Sequence, residues 1–374
     1  MNLYIYDHEN WTQFQWNDDK ISTLLARVRN LQGRLLGKME ALGFDVQKST
    51  SLEVITSDVL KSSLIEGENL NQQQVRSSIA RRLGIEVVGT VPSERNVDGI
   101  VDMMLDATQN YEKALSNERL YSWHAALFPS GYSGISKIKA GQYRDDKNGP
   151  MQVVSGRLGN EKVHYQAPDA TTIGNEMDDF INWVNSEKNI DPVISSAIAH
   201  LWFVTIHPFE DGNGRIARAI ADMMLARSDG TKSRFYSMSS QIQAERDLYY
   251  DVLEETQKGD SNIDYWLLWY LNCLEKSVKN AEDIVAKAQN KSNIWLSLNQ
   301  HPLNARQIKI LNMLIDGFEG HLTSSKWAAI NKCSQDTASR DIEALIRQEI
   351  LIKGAKGGRS TVFHLAILAQ NILE

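Results

Sequence analysis

The sequence predicts a mainly α-helical chain in three parts, with one β-hairpin in the middle part and another near the end. Three observations carry this. Apolar residues recur at three- and four-residue intervals, as in Leu24, Leu25, Val28, Leu31, Leu35, Met39 and Leu42, the period of a helix with one buried face. Extended runs at Met151–Ser155 and Lys162–Tyr165 flank a turn at Arg157-Leu158-Gly159-Asn160, which reads as a hairpin. A polar helical stretch ends at His301-Pro302, where proline breaks the chain into a last unit.

With 374 residues, 42% of them hydrophobic, the chain is long enough for two or three cores. A formal charge of −7 and a pI near 5.7 give no global nucleic-acid footprint. Two cysteines, Cys273 and Cys333, exclude a disulfide framework and a thiolate metal site, and fit a reducing compartment. The opening Met1-Asn2-Leu3-Tyr4-Ile5-Tyr6-Asp7 lacks a basic region and an apolar core, so a secretory leader is not expected. No run approaches about 20 apolar residues, so no membrane span is expected. A cytoplasmic protein is the expectation.

Taken in order, residues 1–95 form an N-terminal helical region. Trp11, Phe14 and Trp16 staple the opening onto the helices that follow. A second helix runs from about Thr50 to Ile65 and a third over Leu70–Leu83. Ser93-Glu94-Arg95-Asn96 caps a long helix through Leu115, which begins a core spanning 96–275. Leu120–Phe128, Ala170–Val184, Pro192–Thr205 and Asp264–Leu274 are further helices. Residues 276–300 read as a linker helix.

Residues 301–374 have a winged-helix pattern: helices at Leu303–Ile315, around Trp327 and Ile330, and over Ser334–Gln348, then β segments Ile350–Lys353 and Thr361–Leu365. The glycine loop at 354–359 lacks the Lys-Ser/Thr ending of a phosphate-binding loop and reads as the wing. In a DNA reader Ser334, Gln335, Thr337 and Arg340 would enter the major groove, with Lys356 and Arg359 on phosphate. Nine Lys/Arg against seven Asp/Glu leave DNA binding and protein docking equally open for this unit. Homodimerisation is equally open.

The chemistry concentrates in residues 207–218, His-Pro-Phe-Glu-Asp-Gly-Asn-Gly-Arg-Ile-Ala-Arg, a polar turn between two apolar helices. Gly212-Asn213-Gly214 lets the backbone pass close to a ligand, because glycine has no Cβ. The helix that follows directs free N–H groups and the positive end of its dipole at an anion. Arg215 and Arg218 are three apart, on one helical face, and their planar forks suit phosphate oxygens. Asp211 is a hard oxygen ligand suited to Mg²⁺. His207 can take a proton from a hydroxyl near neutral pH. Together these residues point to phosphate ester chemistry.

This stretch resembles the signature of the Fic family, His-x-Phe-x-(Asp/Glu)-Gly-Asn-Gly-Arg-x-x-Arg, with every defined position filled in order. The resemblance implies a Fic-type helical core and transfer of AMP from ATP to a Ser, Thr or Tyr hydroxyl of a target protein. It implies His207 as base and Asp211 as Mg²⁺ ligand. Asn213 and the neighbouring N–H groups of Gly212 and Gly214 would hold the α-phosphate, and Arg215 and Arg218 the β- and γ-phosphates, while Phe209 anchors the loop. The hairpin lies where Fic proteins carry a flap, and Val153 and Val154 would align the target peptide as an added strand.

Ser62-Ser63-Leu64-Ile65-Glu66-Gly67 resembles the Fic inhibitory motif, (Ser/Thr)-x-x-x-Glu-(Gly/Asn), with Ser62, Glu66 and Gly67 at the defined positions of an inhibitory helix over about 50–67. By that resemblance Glu66 pairs with Arg218, competing with the γ-phosphate for one guanidinium. Arg246–Leu253 resembles the helix that closes the nucleotide pocket, where Tyr250, and less directly Tyr249, would flank adenine. The alternatives are hydrolytic removal of AMP in the same pocket, transfer of another phosphate-containing group, or a DNA-binding regulator acting through 301–374.

Overall fold

In a computed structural model, described over residues 4–86, 90–147, 149–157, 160–186, 189–315, 318, 320–354 and 361–366, the chain divides into two compact units, 1–284 and 285–374. The first unit opens with α1 (Asp18–Glu40), α2 (Phe44–Ile65) and α3 (Gln72–Leu83). Next come α4 (Arg95–Gln109) and α5 (Asn117–Leu127), a short ribbon β1 (Tyr132–Ser133) and β2 (Ser136–Lys137), and the hairpin β3 (Gln152–Arg157) and β4 (Asn160–Gln166). Then follow α6 (Ile173–Asn185), α7 (Pro192–Ile206), α8 (Asn213–Asp229), α9 (Met238–Ala244), α10 (Arg246–Gln257) and α11 (Asp264–Leu298).

The unit is built around α7. Every residue from Val193 to Ile206 is buried, so this helix is apolar on all sides and sits at the centre of its neighbours. It starts with Asp191, whose side chain accepts from the Val193 N–H, and Pro192 in the first turn, where a missing N–H costs nothing. It packs along α8, and the turn between them carries the chemistry read from the sequence. Trp11 and Phe14 set their ring edges on Trp202 of α7 at 6.0 and 5.8 Å. The aromatic opening is thereby attached to the central helix.

Boundaries moved where side chains the sequence pattern ignores hold the backbone. The helix from Arg95 ends at Gln109, not Leu115. Arg119 of α5 donates to the carbonyls of Asp106, Asn110 and Lys113, turning the chain away from the helix axis. α2 begins at Phe44, six residues before the expected start. The expected breaks around Leu274 are absent, and α11 runs unbroken for 35 residues. Part of the expected Gly84–Pro92 connector and the tip of the hairpin at 158 and 159 lie outside the described residues.

The second unit contains α12 (Ala305–Ile315), α13 (Ser324–Asn331), α14 (Gln335–Arg347) and the pair β5 (Leu351–Lys353) and β6 (Phe363–Leu365). Its core gathers Ile310, Leu311, Trp327, Ile342, Leu345 and Phe363 with Ile294 and Leu298, from the part of α11 (residues 285–298) that belongs to this unit. Ser334 caps α14 by accepting from the Thr337 N–H, and its hydroxyl meets the Thr337 hydroxyl at 2.9 Å. Gln335 donates to Ser324 at 2.6 Å. Arg340 donates from Nε to the Asp336 carbonyl at 3.4 Å, so all four side chains expected to read a groove have partners within the unit. The expected wing, with Lys356 and Arg359, lies outside the described residues.

Gly99 of α4 faces the backbone of α5: a Cβ there would lie 1.7 Å from the Ala126 carbonyl oxygen. Gly99→Ala is therefore expected to force the helices apart and lower stability by roughly 1–3 kcal/mol. Gly33, in α1 with nothing within 4 Å of its position, supplies the contrast, and Gly33→Ala is expected to gain about 0.5–1 kcal/mol. Urea midpoints measure both, and equal shifts in the same direction would dismiss the close-approach argument.

Candidate active site

The turn after α7 begins with a strained residue. His207 takes φ 52°, ψ 56°, a left-handed conformation that costs a non-glycine residue on the order of 1–2 kcal/mol. Neighbours hold it there. The Arg144 guanidinium, itself buried, donates from Nε to the His207 carbonyl at 2.8 Å and from Nη2 to the Pro168 carbonyl at 2.6 Å, and pairs with Asp146. His207 Nδ1 donates to the Val204 carbonyl at 3.2 Å. That leaves Nε2 with its lone pair, on a ring that lines a cavity of about 600 Å³.

The rest of the turn is closed on itself. Phe209 is fully buried and stacks on His124, with ring centroids 4.2 Å apart and planes 8° from parallel. His124 receives the Gly141 N–H on Nδ1 and donates from Nε2 to the Asp211 carbonyl. The Asn213 side chain bridges both backbone groups of Phe209, accepting its N–H at 2.9 Å and donating to its carbonyl at 2.8 Å. The sequence reading has Asn213 on a phosphate; here its amide shapes the loop. Gly212, at φ 78°, precedes α8, and a Cβ there would meet the Phe128 ring at 2.9 Å.

Glu66, His207, Asp211, Gly212, Asn213, Gly214, Tyr250, Val153 and Val154 all line the one cavity. Asp211 presents a carboxylate that accepts from the Ser133 hydroxyl and the Gly212 N–H. Tyr250 faces the cavity with its hydroxyl 3.4 Å from Glu66 Oε2, under the Arg246 guanidinium. Tyr249 turns inward, is buried, and bonds His200 Nε2 at 2.9 Å.

Arg215 and Arg218 lie buried at the start of α8. Arg218 donates from Nε to the Ser62 hydroxyl at 3.0 Å, and from Nη2 to the Ser62 carbonyl at 2.8 Å and Glu66 Oε1 at 2.7 Å. Its Nη1 is buried without a partner, as is Arg215 Nε. Glu66 caps the end of α2, and Gly67 at φ 82° turns the chain. Gly214 makes the approach possible: a Cβ there would stand 2.3 Å from Glu66 Oε1. The sequence reading missed two contributors. Glu68 pairs with Arg215 at 2.6 Å, and Arg246 donates to the Ile65 carbonyl at 2.7 Å. The signal available for Glu68 was its place two residues beyond Glu66.

Burial pushes His207 down to about 4, and Arg144 adds to the effect. Burial likewise takes His124 to about 4 and His200 to about 3. All three are neutral at pH 7.

A strained histidine, a carboxylate, a glycine turn and two guanidiniums thus stand together at a helix N-terminus, where backbone N–H groups and the helix dipole favour an anion. Residues 114–225 match the profile described as "Fic/DOC family", and the chain carries a Fic/DOC family domain over that stretch. Residues 4–85, which include Ser62–Gly67, match a profile described as "Domain of unknown function (DUF4172)". The chain is 27% identical over 219 residues to protein adenylyltransferase Fic of Drosophila mojavensis, covering 57% of this chain and 38% of that protein. It is 33% identical over 104 residues to a probable protein adenylyltransferase of Aquifex aeolicus (strain VF5), covering 27% of this chain and 32% of that protein. The chain thus spans well under half the length of these relatives. A solved Fic family protein from Desulfovibrio desulfuricans G20 shares the fold at a TM-score of 0.53 and 21% identity, over 92% of this chain and 95% of that one. A Fic domain containing signaling protein from Bacteroides thetaiotaomicron VPI-5482 gives 0.50 and 20%, over 73% and 97%.

The three imidazoles give an acid-stability prediction. The unfolded chain takes up protons near pH 6.5, whereas the folded protein keeps these rings neutral until near pH 4. Their contribution is complete above about pH 6.5 and is lost as pH falls from there through about 4. Denaturant titrations at about pH 7.5, 6 and 5 should show stability falling across the series. A flat profile would mean the rings are not held neutral.

Proposed function

We propose that the chain is a protein adenylyltransferase, transferring AMP from ATP to a hydroxyl side chain of a target protein and restrained by its own Glu66. The observation that carries the reading is the pair of buried guanidiniums at the start of α8, each with a donor nitrogen left without a partner. Such donors beside a helix N-terminus suit a polyphosphate.

In this reading Arg215 and Arg218 hold the β- and γ-phosphates, and backbone N–H groups of the Gly212–Gly214 turn hold the α-phosphate. The hydroxyl of a target Ser, Thr or Tyr gives its proton to Nε2 of His207, and its oxygen attacks the α-phosphorus. The bond to the bridging oxygen breaks and pyrophosphate leaves. A neutral His207 at pH 7 supports the base role. Asp211 faces the cavity and has the oxygen donors Mg²⁺ prefers; the ion, when bound, would neutralise phosphate charge. Tyr250 would border the adenine. Val153 and Val154 would align the target backbone along β3, in a sheet that has two strands among the described residues and whose edge could take a further strand.

Glu66 restrains the site because it occupies Arg218 Nη2 at 2.7 Å, where a γ-phosphate would compete. ATP bound without that contact would place its α-phosphorus off line, and about 1 Å of misplacement costs on the order of 10²-fold in rate. Hydrolytic removal of AMP is the second reading, supported by the Glu66 carboxylate sharing one cavity wall with His207.

Label transfer from α-³²P-ATP with Mg²⁺ into lysate proteins tests the reading. Glu66→Gly should exceed wild type by about 10²-fold, and His207→Ala on that background should lose about 10²–10⁴-fold. Transfer undiminished in His207→Ala removes the base assignment. Equal transfer with and without Glu66 removes the restraint, and AMP release from adenylylated protein by wild type alone would favour the second reading.

The contribution of Arg218 separates binding from restraint. Arg218→Ala should weaken ATP binding and also erase the difference between the wild-type and Glu66→Gly backgrounds, read by nucleotide titration and transfer rate. If Glu66→Gly still activates fully in the absence of the Arg218 guanidinium, the ion pair is not the switch.

A further inference from the structure

The cavity holding His207 has a second set of reactive side chains that the proposed transfer leaves unused: Ser155, His164 and Glu254. The Ser155 hydroxyl lies 2.6 Å from His164 Nε2, and His164 Nδ1 lies 2.6 Å from Glu254 Oε2. The other Glu254 oxygen accepts from Lys258 at 2.6 Å. An ionised carboxylate can only accept, so Nδ1 carries the imidazole proton and Nε2 keeps a lone pair toward the serine. The order is nucleophile, base and orienting acid, each within hydrogen-bond reach of the next.

The hairpin is bent to make this arrangement. Val153 pairs with Tyr165 but Val154 pairs with Val163, so His164 is the extra residue of a β-bulge. Bulges re-aim a side chain where regular pairing would point it elsewhere. Here the imidazole reaches both Ser155 on the paired strand and Glu254 on α10. Ser155 itself is exposed, so its oxygen is not consumed by core packing.

We propose that Ser155 is an internal acceptor of AMP, its hydroxyl activated by the His164–Glu254 pair. The inference rests on the adenylyl-transfer reading, which supplies the electrophile. The Ser155 oxygen forms a bond to the α-phosphorus of ATP while its proton passes to His164 Nε2. The bond from the α-phosphorus to the bridging oxygen breaks, and pyrophosphate leaves with that oxygen. Glu254 stabilises the imidazolium formed. The product is a phosphodiester on the hairpin, one residue beyond Val154 on the strand assigned to target docking.

The test uses the full chain with Glu66→Gly, α-³²P-ATP and Mg²⁺, following label on the chain by peptide mapping and pyrophosphate release in parallel. Label is expected on Ser155, lost in Ser155→Ala, retained in Ser155→Thr, and reduced about 10²-fold or more in His164→Asn. Label confined to other residues, or undiminished in Ser155→Ala, overturns the proposal. Pyrophosphate release with an unlabelled chain also overturns it while leaving nucleotide cleavage standing. Neither label nor pyrophosphate from any variant overturns the adenylyl-transfer reading, and this inference falls with it.

Discussion

The Arg218 guanidinium imposes the central constraint. It is 2% exposed, and a buried cation without an anion or several acceptors would cost several kcal/mol. The start of α8 therefore needs a partner, and the end of α2 supplies it through one hydroxyl, one carbonyl and one carboxylate. This requirement fixes much else. α2 must end where Ile65 can accept from Arg246, Gly67 must turn left-handed, and Gly214 must lack a side chain. Asp58, two turns earlier on α2, accepts from Ser237 and the Ser239 N–H at the start of α9, which seats the helix along its length.

The same economy of charge explains the histidines. His207, His124 and His200 are depressed first by burial, and then by Arg144, Arg215 and Arg218 respectively. Positive charge in the site is thus carried by guanidiniums, which stay protonated under any working condition. The imidazoles remain neutral, with His124 Nδ1 already accepting the Gly141 N–H and His200 Nε2 bonded to Tyr249. A neutral His207 with Nδ1 tied to Val204 has a single proton-accepting atom. Its left-handed backbone is held by Arg144, a residue far outside the turn in sequence.

What the sequence disclosed follows from the range of the interactions. The turn at 207–218 is local, and its residues stand at fixed spacing, so the gathering of His207, Glu210, Asp211 and Gly212–Gly214 on one cavity was legible, with Arg215 and Arg218 buried at the start of α8 rather than lining it. The mostly helical fold was legible from apolar periodicity, and α7, where burial on every side removes the period, was legible as a continuous apolar run, expected over Pro192–Thr205 and observed over Pro192–Ile206. Contacts between distant segments were not. Nothing near Arg144 in the chain indicates that it holds the His207 carbonyl, and Arg119 ended α4 early from the next helix along. The side chain of Asn213 is a related case. A phosphate contact and a loop-closing bridge to Phe209 demand the same amide at the same position, and only geometry separates them. The bulge at His164 is invisible to a pattern of alternating residues, because one inserted residue leaves both strands looking regular.

Glu68 changes what release of the site would require. Glu66 and Glu68 flank the Gly67 turn and engage Arg218 and Arg215 in parallel. Under the proposed function, both guanidiniums that would take the terminal phosphates are held by acids from a single short segment. Two tethered carboxylates act as a bivalent ligand: when one swings away, the other keeps it at high local concentration. A rotamer change at Glu66 alone leaves Glu68 in place and the segment poised to re-engage. Displacement by nucleotide therefore has to overcome both pairs together. The coordinate that frees them is withdrawal of the end of α2, and its resistance is set by the Arg246–Ile65 bond and the Ser62 contacts on Arg218. On this view restraint is a property of how α2 is seated against α8 and α10, with Glu66 the part of that seat that reaches the reacting centre.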